Sequence, residues 1–282
     1  MQITARDKKL LYLLCRHNLL STKQIRRRVF AELELTTVMR RLRKLQAAGF
    51  IVRLGMLPCR TWVWGCSQLS NELFTGFVSS NRTNLHTLHH DVTLSEVRLL
   101  MEDLTRVDDW FDIRHIRTGT IPAPFNVDYK RDRYNFAKGE AALAPDALWV
   151  GFKQDQPTSW SLELELSVKA ASRYRRLGQE YNFRKHPQAV LYVVGNEKVR
   201  AAVEGMADYR VRTECKFYTV RLQELFKSRD NAVLQQSDKT QTRLYELFDC
   251  RTRRDVHQSV QPVDKLMSKP DFACFVAEPS DW

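Results

Sequence analysis

The segment Ser161–Lys169, SLELELSVK, sets Glu163 and Glu165 two residues apart in a chain whose formal net charge is +12. Side chains alternate across a strand, so the two glutamates share one face and Leu162, Leu164 and Val168 share the other. Asp146 stands in LAPDALWV (143–150), directly after Pro145 and before an apolar run. A hairpin-like return through Gly151 and Pro157 can bring Asp146 beside Glu163 and Glu165. Three carboxylates gathered in this way repel one another unless protons or a cation neutralise them. Hard oxygen donors that leave positions for water and phosphate suit Mg2+ or Mn2+. Such an ion activates water and stabilises the charge that develops in phosphoryl transfer.

The elements that would position these acids form an α/β pattern. HHDVTLSEVRLLMEDL (89–104) has helical spacing at Val92, Val97, Leu100 and Leu104. FDIRHIRTG, APDALWVGF and SWSLELELS read as strands, AASRYRRLGQEYNFRKH as a helix, and AVLYVVGN as a buried strand. KVRAAVEGMA then reads as a helix and KFYTVRLQEL as a strand running into a helix. A helix, three neighbouring strands, a helix and a further strand predict a mixed sheet over residues 85–228. Residues 229–282 carry no clear periodicity and are expected to form an extension.

The positive charge is concentrated at the other end. Residues 1–66 hold fourteen Lys and Arg against Asp7, Glu32 and Glu34, nearly the whole net surplus. A basic surface of this kind attracts polyanions, and phosphate neutralisation supplies most non-specific DNA affinity. The pattern predicts three helices, the second capped by Ser21 or Thr22 and the third beginning near Thr36 and stopped by Gly49. FIVRLGM and TWVWGC follow as a hairpin turned around Leu57–Arg60. With 43% hydrophobic and 28% charged residues, the composition is that of a globular protein. Six scattered cysteines with no C-x-x-C pair point to free thiols and a cytoplasmic setting. No apolar run reaches transmembrane length, so no membrane partner is expected.

The segment T-x-x-x-R-R-L-x-K-L-x-x-A-G-F-I, beginning at Thr36, resembles the recognition helix and first wing strand of winged-helix DNA-binding domains, here residues 1–75. The resemblance implies double-stranded DNA with a specific site as partner. Thr36, Thr37, Arg40, Arg41 and Lys44 would face the duplex, with base readout falling to Thr37 and Arg40. Arg26, Arg27 and Arg28 would meet phosphates.

Pro145-Asp146 followed by Glu163 resembles the PD-(D/E)xK nuclease superfamily, the restriction-endonuclease-like fold. The sequence departs from that motif where its lysine belongs, which holds Glu165; Lys169 lies four residues on. A winged helix followed in order by HDVTLSEVRL, PDAL, ELE and a basic helix resembles the replication-relaxation family and the MOBC relaxases. These use metal-bound carboxylates and no covalent tyrosine. The likeness covers about residues 5–195. It implies Asp146, Glu163 and Glu165 as metal ligands and His90 and Glu96 as site residues. Lys169, Arg173 and Arg176 would approach the scissile phosphate, and mobilisation or replication proteins are possible partners.

The expectation is therefore a sequence-directed, metal-dependent DNA endonuclease that nicks one strand. A second expectation is a DNA-binding regulator or replication accessory factor whose nuclease-like domain is inactive. Each residue also has a plainer reading. Glu163 and Glu165 can be a solvated face paired with Arg173 or Arg175, and Asp146 can shape a turn. Glu96 can lie on an exposed helix face, His90 at a helix start, and Lys169 at the surface. Tyr174 and Tyr181, seven apart, fit packing better than nucleophilic attack. No phosphate-binding glycine loop and no H-E-x-x-H motif is present, which argues against a nucleotide-driven motor and a zinc peptidase.

Overall fold

The computed structural model describes residues 2–74, 85–118, 120, 121, 125, 144–183, 187–206 and 215–250. The chain divides into two units that meet in sequence between Glu96 and Val97. The mixed α/β class follows from both: helices accompany a small antiparallel sheet in the first and a seven-stranded mixed sheet in the second.

The first unit runs α1 (Ala5–His17), β1 (Leu19–Ser21), α2 (Thr22–Val29), α3 (Leu35–Ala47), β2 (Ile51–Met56), β3 (Trp62–Cys66) and α4 (Gln68–Leu73). Ser21 caps α2 in a reciprocal box with Gln24. Helix α3 buries Val38, Leu42 and Leu45 and presents the positions between them outward. Its chain reverses at Gly49, whose φ of 78° is the left-handed conformation that glycine adopts without a Cβ clash. The three strands order β1-β3-β2, all antiparallel. The indole N–H of buried Trp64 donates to Thr22 Oγ1 at 2.9 Å, fastening β3 to the start of α2. Helix α5 (Leu88–Leu104) begins in this unit, where Leu88 and Val92 pack on Leu19 and Val63. Of the polar stretch 67–88 expected to lead out of the domain, residues 75–84 lie outside the described residues.

The second unit orders its strands β10-β9-β8-β7-β6-β5-β4. They are β4 (Val107–Asp112), β5 (Ala147–Lys153), β6 (Gln156–Glu165), β7 (Ala189–Val194), β8 (Lys216–Arg221), β9 (Val233–Gln236) and β10 (Gln241–Arg243). Strands β6, β7 and β8 are parallel; the remaining pairs are antiparallel. All six residues of β7 are buried, as a continuous apolar run at the centre of a sheet covered on both faces should be. On one face Trp149 stacks between Trp110 and Trp160, with ring centroids 5.4 and 5.7 Å apart, and Phe248 closes over Trp160 at 4.7 Å. On the other face Tyr174, Leu177 and Tyr181 of helix α7 (Ala171–Phe183) pack with Val190, Tyr192, Val194 and Phe217.

Two expectations are corrected. FDIRHIRTG is not one strand: β4 ends at Asp112 and Ile113–Thr118 is helical. The Asp112 carboxylate accepts the Arg114 N–H at 2.9 Å, the kind of bond that starts a helix and stops a ladder. Residues after 228 are not all extension, since β9 and β10 continue the sheet; the tail 251–282 lies outside the described residues.

In the first unit one ion pair locks α3 onto α1. Asp7 is fully buried and closes a capping box with Thr4. Arg41 grips both carboxylate oxygens, through Nε to Oδ1 at 2.8 Å and through Nη2 to Oδ2, and also donates to Gln2 O at 2.9 Å. Arg41 therefore holds α3 in place, where a DNA-facing role was expected. Burial raises the Asp7 pKa, but Arg41 and Thr4 outweigh it and leave the carboxyl below its ordinary value. A lowered folded pKa contributes stability above the unfolded value, near 4, and loses it as pH falls through the folded value. Asp7→Ala should cost ~2 kcal/mol, the upper end for a lost cap. Chemical denaturation at pH 7 and pH 3 checks this: the deficit should shrink at the lower pH.

Candidate active site

Strand register brings three of the expected acids to one face. Ala147 pairs with Leu162 and Leu148 with Ser161, so the next position, Asp146, comes opposite Glu163. Glu163 and Glu165 pair in turn with Tyr192 and Val194 of β7, on the face covered by α7. The fields of all three carboxylates act on the Tyr192 hydroxyl: burial pushes its pKa well up, and Glu163, Glu165 and Asp146 each add to the rise. Tyr192 stays protonated.

Each acid already has a protein contact. The Asp146 carboxylate accepts the Leu164 N–H at 2.8 Å, and its own N–H donates to Leu162 O at 3.1 Å. Glu163 Oε1 accepts the Tyr181 hydroxyl at 2.7 Å. Glu165 Oε1 lies 3.4 Å from Lys169 Nζ. Glu165 is the most enclosed of the three, only 8% exposed. Burial raises its pKa and Asp146 adds to the rise; Lys169 and Arg173 offset part of it without reversing the sign. This is the behaviour expected of an acid desolvated among like charges.

The segment after β6 holds Lys169 against this face. Gly195 N–H donates to Glu165 O at 2.9 Å, and a Cβ on Gly195 would meet Leu166 O at 2.9 Å and Leu166 Cα at 3.2 Å. Only a residue without a side chain lets the exit of β7 come so close. Lys169 N–H donates to the Tyr174 hydroxyl at 3.1 Å, and its Nζ lies 3.2 Å from Ser167 Oγ. The register thus brings Asp146, Glu163 and Glu165 to one face, with Lys169 beside Glu165. Arg173 acts on Glu165 by charge, and Arg176 is exposed on α7.

The donor types suit a hard divalent cation. Among the described residues, however, no group of three or more His, Cys, Asp or Glu is gathered closely enough to hold a metal ion. An ion at this face would have to draw the carboxylates away from the contacts just described.

Other expected site residues lie in the first unit. Glu96 accepts from Arg27 Nη2 at 2.6 Å and from Gln24 Nε2 at 2.9 Å, which ties α5 to α2. His90 Nδ1 lies 3.3 Å from Asp91 Oδ1. Arg26 Nε donates to Leu33 O at 2.8 Å and holds the turn between α2 and α3, while Arg28 is half-buried. Thr36, Arg40, Arg43 and Lys44 are exposed on α3, and Thr37 is half-buried. Arg53 on β2 stacks over Trp62 at 4.2 Å from the ring centroid.

One cluster had no sequence signal. Asp112, beside Ala147 in register, accepts from Arg114 Nε at 2.9 Å and lies 3.1 Å from His115 Nδ1. Burial opposes ionisation of Asp112, but Arg114 and His115 hold its carboxyl well below the usual range. It ends one position from Asp146 in the neighbouring strand register.

No protein-family model, curated protein or solved structure matches the chain. Among the described residues no helix is long and apolar enough to cross a membrane.

A carboxyl whose folded pKa lies above its unfolded value costs stability once pH passes the unfolded value. The cost disappears as pH falls and the folded protein takes up the proton. Glu165→Gln should therefore raise stability at neutral pH by on the order of 1 kcal/mol, or ~2–4 °C in Tm for a domain of this size. Melting curves of both proteins at pH 7.5 and pH 4 check this, and the gain should be confined to the higher pH.

Proposed function

We propose that the chain is a sequence-directed, divalent-metal-dependent DNA endonuclease that nicks one strand at a specific site. One observation carries the reading: Asp146, Glu163 and Glu165 share a sheet face, Lys169 lies 3.4 Å from Glu165 and Arg173 acts on it by charge, and Glu165 is left with a raised pKa. Perturbed acids beside fixed cations are a recurrent property of catalytic sites. The order α5, β4, the short helix Ile113–Thr118, β5, β6, α7, β7 supports a PD-(D/E)xK-like core with one helix inserted after its first strand. In the first unit, the order α1-β1-α2-α3 followed by the β2–β3 hairpin supports a winged helix. Bound at the carboxylates, Mg2+ or Mn2+ supplies the positive charge that an attacked phosphate and its leaving oxygen need.

The chain's own residues do the rest of the work. Asp146, Glu163 and Glu165 are the residues that would hold the cation. The Lys169 ammonium, near Glu165, would orient the attacking water by hydrogen bonding and offset the negative charge that gathers on the attacked phosphate. Arg173 and Arg176 on α7 bind phosphates flanking the cut. Thr36, Thr37, Arg40 and Lys44 read and hold the duplex from α3, and Arg43, unforeseen from the sequence, joins them on that face.

A second reading has an observation of its own. The acids already engage protein partners, no metal-holding group is closed among the described residues, and Glu165 stands where the nuclease motif has lysine. These features favour a DNA-binding regulator or replication accessory factor with an inactive nuclease-like domain.

A supercoiled plasmid carrying the target, incubated with Mg2+ or Mn2+, separates the two. Open circles support the nickase, and unchanged plasmid supports the regulator. In the first case Asp146→Ala and Glu163→Ala should each lower nicking at least ~100-fold, a loss comparable to removing one strong electrostatic group from an active site. For binding, Lys44→Ala should flatten the slope of log K against log salt by about 0.9, one phosphate contact. Arg41→Ala should lower Tm and leave that slope unchanged. Titrations at three salt concentrations, with a melting curve for each variant, check both.

A further inference from the structure

The two residues that turn β5 into β6 sit in a conformation their side chains do not favour. Gln154 and Asp155 have φ of 50° and 58°, the left-handed pair a two-residue hairpin needs to match the twist of its strands. Asn-Gly or Asp-Gly adopts such a turn unaided, whereas the Cβ of a glutamine there crowds the following carbonyl. A contact from outside the turn has to hold it. Asp249 makes that contact: its Oδ1 accepts the Gln154 N–H at 2.8 Å and its Oδ2 accepts the Asp155 N–H at 3.2 Å. Successive N–H groups in a turn form an anion-binding hollow, and one carboxylate fills this one with both oxygens. The two bonds hold the Asp249 carboxyl below its ordinary value, so it is ionised at neutral pH.

The rest of the segment 244–250 grips the same hairpin. The Asp249 N–H donates to Phe152 O at 2.7 Å, and Lys153 Nζ donates to Tyr245 O at 2.9 Å. A Cβ on Gly151 would meet Cε1 of the buried Phe248 at 2.6 Å and its Cδ1 at 2.9 Å, so only glycine leaves that ring room to close over Trp160. The segment is also tied to the residues before β4. The Arg106 N–H donates to Asp249 O at 3.4 Å, and Thr105 pairs with Cys250. The Arg106 guanidinium lies 4.0 Å over the Phe152 ring and 3.3 Å from Asp155 Oδ1.

From this turn the β5–β6 ladder runs without a shift to Ala147–Leu162, one position short of Asp146 and Glu163. A one-residue slip would send every side chain of the slipped strand to the opposite face. The register that gathers the acids is thus set at the far end of the hairpin. We propose that the segment 244–249 is a latch: Asp249 holds the β5–β6 turn in its left-handed conformation, and with it the register that puts Asp146 opposite Glu163. The latch stands whether or not an ion binds at those acids, so it goes beyond the nuclease reading and does not rest on it.

The test is amide exchange, measured residue by residue by NMR on the full chain with no metal added. In Asp249→Ala the Gln154 and Asp155 amides should exchange about 10-fold faster, the loss expected for bonds to a charged acceptor. The Leu164 N–H, which Asp146 accepts, should lose protection in the same variant. Leu191 and Tyr192 in β7 should keep the parent rate, which separates opening of the hairpin from a general loss of stability. Gln154→Asn with Asp155→Gly supplies a pair that adopts the turn without help. In that background, adding Asp249→Ala should change the Leu164 rate less than about twofold, because the strain that the carboxylate offsets is gone. A contact that only adds stability predicts the same Leu164 loss in both backgrounds, and that result overturns the proposal. Turn and Leu164 amides within about twofold of the parent in Asp249→Ala overturn it as well. If Asp249→Ala does not fold, Asp249→Asn gives the answer, since it offers one acceptor oxygen to two N–H groups. At least one turn amide should then open, and protection of both would overturn the latch.

Discussion

A carboxylate row on an interior strand is the constraint around which the second unit is arranged. Helix α7 packs over the face of β6 that bears Ser161, Glu163 and Glu165, so that face is not simply left to solvent. Burying ionised oxygens is costly unless each is paired or hydrogen-bonded. Helix α7 and the segment before it supply the partners. Tyr181 reaches Glu163, Lys169 reaches Glu165, and Arg173 adds its field. The helix is thereby two-sided: tyrosines at 174 and 181 face the sheet, and arginines at 173, 175 and 176 face outward. The compensation is incomplete at Glu165, whose pKa remains raised. A protein selected for stability alone would place an apolar or neutral residue there. The retained cost is what makes the face a candidate for chemistry.

Much of this was legible because strands and hairpins are short-range. Alternation in SLELELSVK gave the residues that share a face, and the return expected through Gly151 and Pro157 turns instead at Gln154 and Asp155, in the register that carries Asp146 to Glu163. The apolar run AVLYVV announced a central strand for the same local reason. Partners far apart in sequence were not legible. Nothing in the spacing says that the Tyr181 hydroxyl donates a hydrogen bond to Glu163, eighteen residues earlier, or that Arg41 turns inward to Asp7, thirty-four residues away. Glu96 is named as a site residue through the resemblance of HDVTLSEVRL, and the structure shows its carboxylate accepting from Arg27 and Gln24. In FDIRHIRTG the β-branched isoleucines favoured a strand, and the Asp112 bond to Arg114 N–H decided for a helix.

The first unit uses its basic surplus in two ways. Arg26, Arg27 and Arg41 brace the helices against one another and against a backbone carbonyl, so part of the surplus is structural. Thr36, Arg40, Arg43 and Lys44 remain on one exposed face of α3, and the rigidity provided by Asp7 and Arg41 keeps that face in a fixed orientation. A helix that presents cations to a duplex gains specificity only if its own placement is firm, since base-edge contacts tolerate little misalignment. On the DNA-binding reading proposed above, bracing and recognition would draw on the same residue type.

The central claim is that Asp146, Glu163 and Glu165 bind one class of ion, and crystals soaked in Mn2+ test it most directly. Anomalous scattering at the manganese absorption edge should place a peak among these three carboxylates, with Glu165 drawn away from Lys169. A map with no peak there, Glu163 still on Tyr181 and Glu165 still beside Lys169, would contradict the account.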